Sequence, residues 1–401
     1  MSIDWASWLG LVLRWFHVIA GIAWIGSSFY FVWLDNHLRR RPGMDEGLAG
    51  ELWAVHGGGF YQSRKYLVAP AELPGELHWF KYEAYFTWLS GFFLLVLLYY
   101  YGAELYLIDP AKLALGKGTA IAIGLGVLAG GWIFYDLLCR SPLGRQDGAL
   151  GIVWFLALVA LAYGLEQVFS GRGAFIHVGA VIGTAMAANV FFVIIPNQKK
   201  AVAAMIAGER PDPELGRKAK QRSLHNNYMT LPVIFIMVSN HYPMTFSHHY
   251  GWAILAGLSL AGVLVRHFFN RRHKGETRVS LLVAAAIVFA LTLLLAAGTG
   301  RSPGDEATGK VSFADVRAIV DRHCIMCHSA TPTHPGFDAP PAGVAFDTAE
   351  EIRRYAPRIR MQAVDADIMP LGNETGMTAA ERARLGAWIA QQGEGGGDGE
   401  G

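Results

Sequence analysis

Apolar residues recur along the chain in eight windows of about 20, the length that carries a helix across about 30 Å of hydrocarbon. The windows lie near 9–33, 80–102, 117–138, 149–168, 174–196, 226–243, 250–269 and 279–298. The sixth is the most polar, because Asn226, Asn227, Pro232, Asn240 and His241 interrupt it. This pattern predicts an all-α polytopic membrane bundle of eight spans over residues 1–298. It then stops. Residues 299–309 read as a polar linker, 310–393 as a small helical domain, and 394–401 as a disordered tail rich in Gly and acidic residues.

Within 310–393, Ser312 is placed to cap a helix through Val320. Thr378 with Glu381 has the spacing of a capping box opening a last helix that ends at Gln392. The first apolar run is too long for the core of a signal peptide, contains Arg14 and lacks a small-residue cleavage pattern, so a retained helix is expected.

Composition agrees with a membrane protein. Of 401 residues 53% are hydrophobic and only 16% charged, too apolar for several ordinary soluble domains. The net charge of +2, with no basic cluster interleaved with aromatics, argues against a nucleic-acid partner.

The loops after spans one, three, five and seven hold Arg39, Arg40, Arg41, Arg64, Lys65, Arg140, Arg145, Lys199, Lys200, Arg210, Arg217, Lys218, Lys220, Arg222, Arg271, Arg272, Lys274 and Arg278. Those after spans two, four and six hold only Lys112, Lys117 and Arg172. The positive-inside rule then places both termini outside the cytoplasm, in the periplasm of a bacterium.

Three cysteines exclude a disulfide framework, and Cys139, beside Arg140, is read as a reduced thiol at a helix end. The other two stand in Cys324-Ile325-Met326-Cys327-His328, the C-x-x-C-H pattern of c-type haem attachment. Two thiols three residues apart bond the porphyrin, and the adjoining histidine ligates the iron. A buried porphyrin would supply much of the core of so small a domain. The expected sixth ligand is Met369, followed by Pro370, with Met361 and Met377 as alternatives; His323 and His334 read as surface histidines. This arrangement resembles the class I cytochrome c domains, whose axial methionine precedes a proline. The periplasmic side inferred from loop charge is also where bacteria attach c-type haem.

Histidines recur among the spans. Trp15-Phe16-His17-Val18 and Phe175-Ile176-His177-Val178 open spans one and five, and Leu77-His78 and Leu224-His225 precede spans two and six, an order expected of two four-helix halves. Ionisable groups at such depth usually face a bundle interior. Phe16-His17, the small residues after it and Trp24-Ile25-Gly26 resemble the first helix of bacterial membrane protoporphyrinogen oxidases that carry b-type haem. That likeness implies a b haem held by His17 or His177.

Leu77-His78-Trp79-Phe80-Lys81-Tyr82-Glu83-Ala84-Tyr85, Leu224-His225-Asn226-Asn227-Tyr228-Met229-Thr230-Leu231-Pro232, Ser239-Asn240-His241-Tyr242-Pro243 and the C-x-x-C-H tail together resemble the bacterial membrane-bound, cytochrome-c-linked urate oxidases. The resemblance covers nearly the whole chain. It implies oxidation of urate to 5-hydroxyisourate, the first step in breakdown of the purine ring. Electrons would pass to haem c and on to a respiratory acceptor such as a soluble cytochrome c or a terminal oxidase.

Nothing in composition or spacing points to urate itself. A flat anion with amide-like edges needs a cation and paired donors and acceptors, and Asn226, Asn227, Asn240, His225, His78, Arg64, Lys65 and Lys81 are the residue types on offer. His225 and His78 are the expected bases, with Asn226 and Asn227 beside them. The rival readings are a subunit relaying electrons from quinol to a periplasmic cytochrome, and a transporter bearing a haem sensor.

Overall fold

The computed structural model describes residues 5–298, 311–365 and 368–394, apart from residues 71 and 111. The linker expected at 299–309 and nearly all of the tail expected at 394–401 lie outside them.

Helix α1 (Trp5–His37) is followed by strands β1 (Leu48–His56) and β2 (Gly59–Tyr66). Helix α2 (Tyr82–Leu95) continues through a π-helical turn, Val96–Tyr100, and a one-turn helix α3 (Ala103–Tyr106) follows. Next come α4 (Lys117–Arg140), α5 (Asp147–Glu166) and α6 (Gly171–Ala188). A second π-helical turn, Asn189–Ile194, joins α6 to α7 (Ile195–Ile206). The remaining helices of this part are α8 (Pro213–Ser239), the one-turn α9 (Pro243–Phe246), α10 (Gly251–His273) and α11 (Ser280–Gly298).

Among the described residues, seven helices are long and apolar enough to cross a membrane. The count departs from eight at the sixth window. That window is helical, but it is the C-terminal part of α8, whose first half is charged and whose core carries Asn226 and Asn227. Asn226, Asn227 and Asn240 bond neighbouring elements of the bundle.

The all-α expectation is corrected by the hairpin. β1 pairs antiparallel with β2, His56 opposite Gly59, so the loop is Gly57-Gly58, both at positive φ (57° and 80°). Two such residues in a two-residue loop match the right-handed twist of the strands, and glycine takes that conformation without a Cβ clash. Glu51 is the hairpin's buried carboxylate, accepting from Gln62 at 2.7 Å and paired with Arg41 and Arg64 at 3.4 and 3.7 Å. Lys65 ties the hairpin to Asp35 on α1.

Helix α6 is the axis of the bundle. Burial covers 61% of the span it begins, against 11% for the span on α11, which leaves Val283, Ile287, Leu291 and Leu294 exposed on the outer surface of the bundle. Small residues let helices approach it closely. A Cβ on Gly131 of α4 would stand 2.6 Å from Val181, and one on Gly179 would stand 2.7 Å from Ile236 of α8.

The C-terminal unit has its own core of Val316, Ile319, Val320, Phe346, Ile352, Ile359, Leu385 and Trp388. It comprises α12 (Phe313–His323), α13 (Ala349–Arg354), α14 (Ala356–Ile359) and α15 (Ala379–Glu394). The expected caps form: Ser312 with Asp315 at α12, and Thr378 with Glu381 at α15; Thr348 with Glu351 adds a third at α13. The unit rests on the membrane part. Ile368 packs against the membrane core, and a Cβ on Gly372 would lie 2.5 Å from the Glu104 carbonyl of α3.

Candidate functional site

Among the described residues, three gatherings of buried polar side chains between the helices bear on function, and a fourth group of interest lies in the C-terminal unit.

The first gathering joins α4, the turn after α6, and α8. Arg222 donates to Asp136 at 2.7 Å and to Asn189 Oδ1 at 2.9 Å, so its charge is neutralised in place. Asn189 Nδ2 donates to Asn226 Oδ1 at 2.8 Å and to the Tyr135 hydroxyl at 3.2 Å, while Asn226 Nδ2 donates to the Met186 carbonyl at 3.0 Å. His225 shares a hydrogen bond of 2.8 Å with Tyr135, and its Nε2 lies 3.6 Å from Asp147. Cys139, expected as an isolated thiol, lies 3.9 Å from the same histidine. Of the two expected bases, His225 therefore sits in a buried acid–base network. His78 does not: it is exposed in the loop before α2, with its ring against Phe80.

The second gathering is where α1, α8 and α10 meet. Asn227 Oδ1 accepts from Arg266 Nε at 2.7 Å and from Asn270 Nδ2 at 3.1 Å. The Arg266 guanidinium stands 4.0 Å from the centre of the Phe29 ring. Asn226 and Asn227 therefore do not form one site. Adjacent residues on a helix point about 100° apart, and these two enter different networks. Arg266 was readable as an ionisable residue inside the seventh window, the kind that marks a functional interior.

The third gathering lies near α3. Asn240 Oδ1 accepts from the Tyr99 hydroxyl at 2.7 Å and from Arg172 Nε at 3.3 Å. The His177 ring is fully buried close by, with Nδ1 2.8 Å from the Gly173 carbonyl and Nε2 3.3 Å from the Tyr100 hydroxyl. A Cβ on Gly124 would meet that Nε2 at 2.6 Å. His17 is bound separately, with Nδ1 3.0 Å from the Thr87 carbonyl and 3.0 Å from Ser90 Oγ on α2. A b-haem ligand needs a free ring nitrogen facing open space, and His177 has neither, so its surroundings do not fit that cofactor. An open apolar groove of about 710 Å³ lies between α8, α10 and α11, lined by Phe235, Leu258, Val265 and Phe289 among others. It holds no charged side chain to receive an anion.

In the C-terminal unit, Cys324 caps α12 and starts a tight turn in which the His328 N–H donates to the Cys324 carbonyl at 2.8 Å. Both thiols are unpaired. Burial pushes the Cys324 thiol up to about 12 and raises that of Cys327 as well. His328 Nδ1 lies 2.9 Å from the Val344 carbonyl, which fixes the ring. Met369 packs against the same core as Cys324 and Ile325, and its carbonyl accepts from Arg382 at 2.6 Å. Of the alternative methionines, Met377 is buried in the core and Met361 is 45% exposed.

His334 is partly buried and 3.1 Å from Glu374. His323, expected at the surface, is buried, 2.8 Å from Thr375 Oγ1 and 3.2 Å from Glu381.

Residues 4–297 match the family described as urate oxidase, N-terminal. The chain belongs to that family. The match spans every helix from α1 to nearly the end of α11 and stops before the C-terminal unit. Urate oxidation is thus the activity to which the membrane part is related, and the family supports an oxidoreductase with urate as a plausible substrate. Searches among curated proteins and among solved structures give no match.

Proposed function

We propose that this protein is a membrane-bound, cytochrome-c-linked urate oxidase with eight spans. The family match to the helical part, joined in one chain to the C-x-x-C-H unit, carries the reading. The overall change is urate plus water to 5-hydroxyisourate, two protons and two electrons.

A covalently bound c haem supplies a one-electron acceptor, so the two electrons leave in succession. The residues fit that group. Two unpaired thiols stand at the required spacing, and the His328 ring is oriented through Nδ1, the second partner that usually fixes an imidazole ligand. Arg382 holds the Met369 backbone, which supports Met369 as the sixth ligand. In this reading residues 1–298 are the catalytic part and 310–393 the cytochrome c domain. His177 is enclosed by its neighbours, His17 stays the candidate ligand for a b haem with its Nδ1 anchored to α2, and no step is assigned to that group. Of the residues expected to be catalytic, His225 remains the one built into a proton-handling network.

The placement of the C-terminal unit against α3 supports the topology. Helix α3 lies in the loop after span two, one of the three loops poor in Lys and Arg. A tail on that side needs an even number of crossings, so α8 counts as a span, the sixth of eight. Both termini would then lie in the periplasm of a bacterial inner membrane, with a soluble cytochrome c or terminal oxidase as the next acceptor.

The test is anaerobic addition of urate to membranes containing the haem-loaded protein while the c-haem absorbance is followed. Reduction by urate is expected, and its loss on changing Cys324 and Cys327 to Ala. Reduction by dithionite but not by urate would reject the proposal.

A further inference from the structure

We infer that the junction of α1, α8 and α10 is the binding site for the urate anion, with Arg266, Asn227 and Asn270 as its polar groups and Phe29 as its aromatic wall. The inference rests on the urate reading above and adds the location.

Charge is the first argument. The membrane part buries two arginines deeply, Arg222 and Arg266, each 5% exposed. Arg222 is matched by the carboxylate of Asp136. Arg266 has no carboxylate partner among the described residues; its contacts are the Asn227 carbonyl oxygen and the Phe29 ring. A buried guanidinium without a counter-ion is costly, and an anionic ligand removes that cost.

Unused hydrogen-bonding capacity is the second. Arg266 Nη2, Asn227 Nδ2 and Asn270 Oδ1 are all buried without a hydrogen-bond partner among the described residues. Asn227 is fully buried and Asn270 is 4% exposed. Arg266 and Asn270 converge on one atom, Asn227 Oδ1, so the spare groups of the three residues lie in one neighbourhood. Two donors, one acceptor and a positive charge beside an aromatic face match a flat anion whose edge alternates carbonyl and N–H groups. A purely structural clamp between α8 and α10 would need the Arg266 to Asn227 bond but not the leftover atoms, which such a clamp would ordinarily satisfy.

The third argument is position. Arg266 lies two turns from the end of α10, on the side where Arg271 and Arg272 crowd the mouth. A planar anion arriving from that side meets positive potential before it meets the site.

The test uses full-length, haem-loaded protein in detergent, without oxygen and with the haem kept reduced by ascorbate, so that urate binds without turning over. Binding of urate is measured calorimetrically for the unaltered protein, Arg266→Gln and Asn270→Asp. The second variant is the more telling, since it keeps the side-chain shape but sets a carboxylate beside Arg266. The aspartate gives up the donor to Asn227 Oδ1, so an unaltered haem spectrum and a cooperative unfolding transition check the fold, and urate should weaken by at least about tenfold, the loss expected for a charge-assisted contact. Arg266→Gln should weaken it by a similar factor. Unchanged affinity in Asn270→Asp, with urate still bound by the unaltered protein, would overturn the site and leave the urate reading standing. Absence of urate binding in the unaltered protein would overturn both.

Discussion

Asn226 and Asn227 are neighbours on α8 that belong to separate networks: Asn226 bonds Asn189 and the Met186 carbonyl, while Asn227 receives Arg266 and Asn270. One residue of helix rotation divides them. They should therefore fail differently. Asn226→Leu strands Asn189 Nδ2 in part and a buried carbonyl, which is expected to cost about 1–3 kcal/mol of stability with urate affinity retained. Asn227→Leu is expected to abolish urate binding. Thermal unfolding and calorimetry on the same preparations decide the matter, and identical behaviour of the two variants would refute the division.

Arg222 and Asp136 form a buried pair in which Asp136 also bonds Arg140 at 2.7 Å. Removing Arg222 leaves the buried Asp136 carboxylate with the more exposed Arg140 alone and strands Asn189 Oδ1, a loss expected to approach about 3 kcal/mol. Arg222→Met should lower the unfolding temperature in detergent sharply, whereas the exposed Arg217, paired with Glu214 at 2.8 Å, should matter little when replaced by Met. Equal effects of the two changes would show that burial does not set the strength here.

The Glu381 carboxyl is held down to about 2, chiefly by the backbone N–H of Thr378 and further by the Thr378 hydroxyl and His323. A carboxyl lowered on folding stabilises the fold above its ordinary value of 4.5, and that contribution fades as pH falls toward about 2. The C-terminal unit should lose stability across this interval, and Glu381→Gln should flatten the decline. Circular dichroism melts between these limits report it. An equally steep decline in the variant would assign acid sensitivity to other carboxylates.

Gly372 stands at φ 61° with the Glu104 carbonyl where a Cβ would be. Gly372→Ala meets both the left-handed backbone penalty, about 1–2 kcal/mol, and the clash. It should loosen the seat of the C-terminal unit on α3. Expected is slower reduction of the haem by urate, with an unaltered haem spectrum and unaltered urate affinity. A rate equal to that of the unaltered protein would show that this contact does not govern transfer.

Much of the architecture was legible because a bilayer imposes a simple length and polarity on what crosses it. Each of the eight apolar windows falls on a helix, and the caps at Ser312 and Thr378 were readable because capping is set by residues three apart. The hairpin was also written locally, in the Gly57-Gly58 pair that a two-residue hairpin loop favours. The site was less legible. Histidines attracted attention as ionisable groups, yet His78 lies in an exposed loop and His177 is sealed by its neighbours. The arginine without a counter-ion stood inside a window read only for its apolarity.

By itself, the sequence determined the order of the apolar helices, the caps of the C-terminal unit and the thiol spacing of C-x-x-C-H, since each depends on residues a few positions apart. Only the tertiary structure decided that Arg222 is neutralised by Asp136 while Arg266 is not, that Asn226 and Asn227 part company, and that the Met369 loop leans on α3. Those outcomes depend on which faces of distant helices meet. Charge compensation in a bilayer is settled between helices, not along one.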